Sequence, residues 1–153
     1  MIINHLTKNV YETMSNSGKL KKVYFAISYS NRKLFDKEVK GLLDLFHKNH
    51  IQLQVFVDEY NFKETQEKEM MKTAFAAIDN ADLLIAELTT KSIGVGIEIG
   101  YAAAKKKPIF YIRKKGADYS TTASGSSTTV IEYENVLDLL EKTEKKLGLL
   151  FQK

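Results

Sequence analysis

Residues 81–100 read ADLLIAELTTKSIGVGIEIG, and this stretch decides the fold. Its apolar run at 83–86 predicts a buried β-strand, and the polar residues that follow predict a loop. Gly94 and Gly96 then predict the opening of a helix. Glycines at that position let a ligand approach the backbone closely and leave helix N–H groups available to an anion or a hydroxyl.

The same alternation of strand and helix continues in both directions from this stretch. Short apolar runs predict further strands at residues 23–27, 51–57, 108–112 and 130–133. Apolar spacing predicts helices at 71–78, 94–106 and 136–150, and another with Ser30 as its N-cap and Phe35, Val39, Leu42 and Phe46 along one face. Polar segments 58–65 and 116–128 are predicted as loops. Near-continuous apolar strands between amphipathic helices predict a flavodoxin-like, five-stranded parallel sheet of order 2-1-3-4-5, with helices on both faces.

Length and composition limit the classes of protein that remain. A chain of 153 residues indicates one domain, here residues 21–153, preceded by a tail or arm at 1–20 that shows no clear period. The absence of Cys excludes disulfides, thiolate nucleophiles and Cys-ligated metals. Three scattered histidines form no ligand cluster, so we expect neither a metal nor a cofactor.

Charge and hydropathy indicate the surroundings of the protein. Lys and Arg number 23 against 19 Asp and Glu, and this net charge of +4 permits an anionic ligand without indicating a nucleic acid polymer. No apolar run approaches about 18 residues, so no membrane span is expected. The N-terminus also lacks the apolar core of a signal peptide, so we expect a cytoplasmic protein.

Ligands of doubly wound sheets bind at the carboxyl ends of the strands, beside the point where the strand order reverses. That rule selects four loops, at residues 28–32, 58–65, 89–96 and 113–128. Glu98 follows the third of them, in the first turns of the glycine-opened helix, where the helix dipole stabilises a carboxylate anion. An ionised Glu there can act as a nucleophile or stabilise a positive sugar centre. The alternative is that Glu98 only complements the helix dipole.

The run SIGVGIEIG at residues 92–100, after a strand that ends at Glu87, resembles the nucleoside 2-deoxyribosyltransferase superfamily. In particular, it resembles the 2'-deoxynucleoside 5'-phosphate N-hydrolase branch of that superfamily. The first strand also resembles the opening strand of that family, and the likeness covers about residues 22–140. It implies a flavodoxin-like fold and cleavage or transfer at a deoxyribose N-glycosidic bond. It also implies that Glu98 is the nucleophile and forms a covalent deoxyribosyl intermediate.

The resemblance further implies a set of residues around the ligand. Tyr24 would line the catalytic site beside Glu98, and Ser92 would contact the phosphate or the sugar. The loop at 28–32 would hold the 5' end of the ligand, and a serine of the 119–127 loop would reach the site of a neighbouring subunit, which implies a homodimer. The candidate ligand-binding residues are Ser28, Ser30, Arg32, Asp58, Ser92, Gly94, Gly96, Ser120 and Ser124. A flexible linker is the alternative interpretation of the Ser- and Thr-rich loop.

Two departures from the family pattern affect the chemistry. The first loop lacks the family's glycines, and its arginine is displaced to Arg32, which puts phosphate binding in question. The family also has a catalytic aspartate eight residues before the Asp that starts the third strand; here that position is Ala74. Without a general acid the rate falls by roughly 10²–10⁴-fold. The carboxylates that could substitute, each otherwise a solvated surface charge, are Asp58, Glu59, Glu67 and Glu69.

Two other functions are consistent with the sequence. Toll/interleukin-receptor-type NAD hydrolases use this kind of sheet and a single Glu, and a site with one carboxylate fits their chemistry. A nucleotide-binding module without catalysis is the other possibility, and Ala74 in place of the aspartate favours it. The expected ligand is therefore a deoxynucleoside or a nucleotide.

Overall fold

The computed structural model describes residues 20–151. The predicted tail, apart from Leu20, lies outside the described residues. The strands are β1 (Lys22–Ala26), β2 (Gln52–Val55), β3 (Leu83–Glu87), β4 (Ile109–Lys114) and β5 (Thr129–Tyr133). The α-helices are α1 (Asp36–Lys48), α2 (Phe56–Glu59), α3 (Glu67–Asp79), α4 (Ile93–Ala104), α5 (Thr121–Ser126) and α6 (Val136–Phe151), with 3-10 helices at Tyr29–Phe35 and Glu64–Gln66.

The five strands form one parallel sheet in the order β2-β1-β3-β4-β5, which confirms the predicted architecture. The strand order reverses at β1, which pairs with β2 on one side and with β3 on the other. Tyr24 on β1 stands in register with Gln54 on β2 and with Leu84 on β3. These three residues therefore lie on the same face of the sheet.

Both faces of the sheet are covered, as the apolar strands predict. One core cluster joins β1 to α1 and α6 through residues such as Phe25, Phe46 and Leu147. The predicted helical face of Phe35, Val39, Leu42 and Phe46 is buried in this cluster. The other cluster joins Tyr24 to α3, α4 and α5, and it contains Ile99. Gly41 permits the close approach of α1 and α6, since a Cβ there would lie 3.0 Å from a methyl of Val136.

The prediction that Ser30 is an N-cap is wrong. After Ser28 the chain tightens into a 3-10 helix, whose first bond runs from the Asn31 N–H to the Ser28 carbonyl (3.1 Å), so Ser30 lies inside that helix. The α-helix begins at Asp36, where Asp36 and Glu38 in the first turn complement its dipole.

The two segments predicted as loops contain helical turns. β2 ends at Val55, and residues 56–59 turn into α2. In the 116–128 segment, Ser120 caps α5 by accepting a hydrogen bond from the Ala123 N–H (3.2 Å). The hydroxyl of Ser126 donates to the Thr122 carbonyl four residues back (2.9 Å). The hydroxyls that favour a loop in the sequence instead satisfy the backbone of a short helix.

No helix in the described part of the chain is both long and apolar enough to span a bilayer.

Candidate functional site

Glu98 and Tyr24 meet where the strand order reverses. Tyr24 is completely buried on β1, and Glu98 projects from the second turn of α4. Glu98 Oε2 and the Tyr24 hydroxyl are both buried without a hydrogen-bond partner of regular geometry among the described residues. The two groups nevertheless interact: burial and then the charge of Glu98 raise the pKa of the Tyr24 hydroxyl well above its usual range. Tyr24 therefore keeps its proton at every physiological pH.

Burial raises the pKa of Glu98 to about 7, and the Tyr24 hydroxyl opposes this rise. The expectation that the helix N-terminus stabilises the Glu98 anion is therefore wrong. Glu98 is the sixth residue of α4, past the first turn, where the dipole effect has weakened. Desolvation dominates instead, and the carboxyl group titrates near neutral pH.

An aromatic wall made by Tyr24, Phe56, Tyr60 and Phe62 stands beside this pair. Phe56 is at the centre: its ring centroid lies 5.7 Å from Tyr24, 4.8 Å from Tyr60 and 6.3 Å from Phe62. Tyr60 is partly exposed, so the wall reaches the surface. Sequence reasoning missed this wall because it classed 58–65 as a polar loop; three aromatic residues within seven positions after a strand were the available signal. The exposed ring of Tyr60 offers a planar base a surface for stacking.

Gln54 is a second residue that sequence reasoning missed. Its amide Nε2 donates to Glu59 Oε2 (2.8 Å), and its Oε1 is buried without a partner among the described residues. Gln54 stands next to Tyr24 across the strand pair. The available signal was a polar residue between the apolar Leu53 and Val55.

Arg32 and Asp58, both candidate ligand-binding residues, bind each other. Arg32 Nη2 donates to Asp58 Oδ2 (2.8 Å) and Nε donates to Asp58 Oδ1 (2.9 Å), while Nη1 donates to Asp36 Oδ1 (2.8 Å). Asp58 is the main cause of a raised pKa for Arg32, so the guanidinium stays charged. In the same loop, the hydroxyl oxygens of Ser28 and Ser30 lie 3.4 Å apart.

The remaining candidates lie around the first turns of α4 and around α5. Ser92 caps α4 by accepting from the Val95 N–H (3.4 Å), and Gly94 is exposed in the first turn. A cavity of about 340 Å³ separates the start of α4 from α5, and Ser92, Gly96 and Ser120 are among its lining residues. Neither Glu98 nor Ser124 is among the lining residues. Ser124 accepts a hydrogen bond from the Tyr119 hydroxyl (2.5 Å).

Two flanks of α4 face different parts of the structure. Residues 92, 96 and 100 recur every fourth position and line the cavity beside α5. Tyr101, three residues after Glu98, stacks on Phe75 of α3 with ring centroids 4.2 Å apart. Glu98 and Tyr101 share the flank toward α3, and the candidate hydroxyl groups lie on the other flank.

The four carboxylates that the sequence offers as substitutes for the missing aspartate are either hydrogen-bonded to other side chains or exposed. Ala74 lies on the buried face of α3, is 1% exposed and packs in the core cluster that contains Tyr24. Asp58 and Glu59 already accept hydrogen bonds from Arg32 and Gln54. Glu67 and Glu69 are exposed in the first turn of α3. Within residues 20–151, no three His, Asp or Glu side chains are arranged to hold a metal ion.

Glu87, the acidic residue at the end of β3, is buried and has two donors. The Thr89 N–H donates to its Oε1 (2.5 Å), and the Tyr133 hydroxyl donates to its Oε2 (2.9 Å). Burial raises the pKa of Glu87, and the hydrogen bonds from Thr89 oppose that rise. The bond from Tyr133 links β3 to β5 across β4, which is a structural role.

Comparison with known proteins places this geometry in context. The family model described as nucleoside 2-deoxyribosyltransferase matches residues 23–145. A curated relative from Syntrophotalea carbinolica, named putative 2'-deoxynucleoside 5'-phosphate N-hydrolase 1, is 40% identical over 65 residues. That match covers 40% of this chain and 46% of the relative, which is less than half of its length.

Solved structures share the fold at low sequence identity. The CMP N-glycosidase BcmB of Clostridium botulinum matches with a TM-score of 0.63 and 22% identity, over 82% of this chain and 99% of that one. The 2-deoxyribosyltransferase of Bacillus psychrosaccharolyticus matches with a TM-score of 0.64 and 18% identity, over 82% of this chain and 95% of that one. The same five-stranded architecture therefore occurs in both of these proteins.

Proposed function

This chain belongs to the nucleoside 2-deoxyribosyltransferase family, and we propose that it cleaves or transfers the N-glycosidic bond of a 2'-deoxynucleoside or its 5'-monophosphate through Glu98. The observation that supports this most directly is the pairing of Glu98 with Tyr24. A buried carboxyl group that titrates near pH 7, next to a phenol that keeps its proton, is a typical arrangement for an active-site nucleophile.

In the proposed first step, the ionised Glu98 carboxylate attacks C1' of the sugar. The bond between C1' and the base nitrogen breaks, and its electron pair leaves with the base. The product is an ester between Glu98 and the deoxyribosyl group. The Tyr24 hydroxyl orients the carboxylate and favours its ionised form, in line with its effect on the pKa of Glu98.

In the second step, water attacks C1', its proton passes to solvent and the bond to Glu98 breaks, which restores the carboxylate and releases deoxyribose or its 5-phosphate. A second base in place of water gives transfer. The departing base must acquire a proton, and with Ala74 in the position of the acid that proton comes from solvent. We expect a slow enzyme, since loss of a general acid typically costs roughly 10²–10⁴-fold.

The aromatic wall supports a nucleobase as the leaving group. Tyr60, which is 39% exposed, offers a flat surface to a base, and Phe56 packs between it and Tyr24, the neighbour of Glu98. Stacking on such a ring is worth about 1–3 kcal/mol per base. Ser28 and Ser30 supply hydroxyl groups for the 5' end of the ligand, while Ser92 and Gly94 lie at the start of α4 for the sugar or a phosphate.

We also propose that the active form is a homodimer. Ile93 is 86% exposed and Ile97 is 47% exposed, and these residues, one helical turn apart on α4, form an apolar patch beside Ser92. Burial of this patch against a second copy would bring Ser120 or Ser124 of that copy to the site.

Chromatographic detection of free base tests the proposed activity. The protein and its Glu98→Gln variant are incubated with deoxynucleosides, their 5'-monophosphates and NAD. We expect base release from a deoxynucleoside or its monophosphate by the unmutated protein alone, with kcat/KM rising as pH increases through about 7. Absence of release from all of these compounds would refute the activity. Nicotinamide release from NAD alone would instead support the NAD hydrolase function.

A binding module without catalysis is a second candidate, and Ala74 in the place of the family's aspartate favours it. In that case a nucleoside or nucleotide raises the melting temperature of the protein, but no product forms. If the Glu98→Gln variant left both binding and any turnover unchanged, Glu98 would be structural, and both candidate functions would lose the residue on which they depend.

A further inference from the structure

All three nitrogens of the Arg32 guanidinium group bind carboxylates. Each of its three nitrogens donates a hydrogen bond: Nε and Nη2 bind Asp58 as a fork, and Nη1 binds Asp36. The Arg32 side chain is only 18% exposed, so this arrangement is partly shielded from solvent. The Arg32–Asp58–Asp36 triad defined by these bonds joins the 3-10 helix after β1 to α2 after β2.

Asp58 occupies the Nε and Nη2 donors of Arg32, the pair through which an arginine can bind a phosphate in a bidentate manner. A phosphate at the first loop would have to displace Asp58 or lie beside it. The triad carries one positive and two negative charges, so its net charge is −1. One like charge within hydrogen-bonding range costs a ligand on the order of tenfold in affinity.

The other polar groups of the first loop are neutral. The hydroxyls of Ser28 and Ser30 lie 3.4 Å apart and suit an alcohol as partner. Lys33, the other cation of the 3-10 helix, is exposed and lines a separate cavity with Lys114 between α1 and the start of α6. Lys91 lines the cavity beside α5.

From this charge balance we infer that the site selects a ligand with an uncharged 5'-hydroxyl, a nucleoside, over the corresponding 5'-monophosphate. Asp58 and Asp36 are the residues that determine this specificity, because they neutralise Arg32 and repel a second anion. The inference rests on the proposed function and identifies the substrate class of the same site.

The test compares kcat/KM for each deoxynucleoside with kcat/KM for its 5'-monophosphate. We expect the nucleoside to be favoured by about tenfold or more at low salt, and the preference to shrink as added salt screens the repulsion. Asp58→Asn frees the fork of Arg32 and should shift the ratio toward the monophosphate by about tenfold. Asp36→Asn removes one carboxylate but keeps the fork, and should shift the ratio in the same direction by less.

Asp44→Asn is the matched control, because it removes the same charge from an exposed position two turns along α1. An equal shift in this variant would overturn the inference, as would a preference of the unmutated protein for monophosphates. The latter result would leave the proposed function intact.

Absence of base release from every ligand would instead refute the proposed function. Isothermal titration calorimetry with the same ligands then decides the inference. Tighter binding of the nucleoside sustains it. Tighter binding of the monophosphate, or binding of neither, overturns it.

Discussion

The hydroxyl group of Tyr24 opposes the burial that raises the pKa of Glu98, so the two residues determine together when the carboxylate is available. In a Tyr24→Phe variant, burial still raises the pKa of Glu98, but the hydroxyl group that lowers it is absent. We expect the pH midpoint of kcat/KM to move above about 7 and the rate at pH 7 to fall by tenfold or more. A pH–rate profile of both proteins measures the shift, and an unchanged midpoint would contradict the role given to Tyr24.

Glu98 also makes stability depend on pH. Its pKa is about 7 in the folded protein and near the ordinary value of 4.5 in the unfolded chain, so the folded state binds the proton more tightly. Between these values the free energy of unfolding falls by up to about 1.4 kcal/mol for each unit that the pH rises. This contribution is fully present below about pH 4.5 and is lost once the pH passes about 7.

The Glu98→Gln variant lacks this slope. Relative to the unmutated protein, we expect it to gain on the order of 2–3 kcal/mol in free energy of unfolding between pH 4.5 and pH 8. Urea unfolding across this range measures the difference. Glu69→Gln, at an exposed position on α3, serves as the control and should leave the slope unchanged.

At the level of elements, the contact of α1 with α6 depends on the absence of a side chain at Gly41. A Cβ at that position would lie 3.0 Å from Val136 and 3.2 Å from Leu140. We expect Gly41→Val to lower the free energy of unfolding by about 1–3 kcal/mol, because it forces the two helices apart. Gly100→Ala on α4 is the comparison, since nothing lies within 4 Å of a Cβ there. It should be neutral or stabilising by up to about 1 kcal/mol. Thermal unfolding of both variants distinguishes the two outcomes.

The elements also show which features the sequence can predict. Apolar periodicity identified every strand of the sheet and the buried face of α1, because burial on both sides leaves a strong local pattern. The N-cap assignment to Ser30 and the loop at 116–128 failed because short 3-10 and α turns depend on individual capping bonds. The raised pKa of Glu98 could not be predicted from the sequence, because it arises from the burial of the Glu98 side chain beside Tyr24, on a strand 74 positions earlier in the chain.

For the whole molecule, the strand order could be predicted from the alternation of elements, and the structure confirms it. The candidate site could be predicted in part. The switch-point rule selected the loops that hold Arg32 and Asp58, but nothing local in the sequence indicates that these two residues neutralise each other. Residues that were considered singly as ligand contacts form an ion pair once the sheet assembles.

The proposed dimer is a property of the whole molecule and can be measured directly. We expect light scattering to give the mass of two chains, and Ile93→Asp to reduce it to one by placing a charge in the apolar patch on α4. Leu149→Asp, at another exposed apolar position on α6, is the control and should leave the dimer intact. A monomeric unmutated protein would refute the proposal.

The position of β2 at the edge of the sheet has a consequence for how this protein could change over evolutionary time. Phe56, Tyr60 and Phe62 of the aromatic wall follow that edge strand, which among the described strands pairs with β1 alone. Insertions or replacements after Tyr60 can therefore alter the shape offered to a base without disturbing the central strand pairs. The carboxylate that would perform the chemistry is on a separate element, α4. Selection can act on ligand preference and on reactivity as nearly independent traits, which favours diversification of substrate range on a constant catalytic framework.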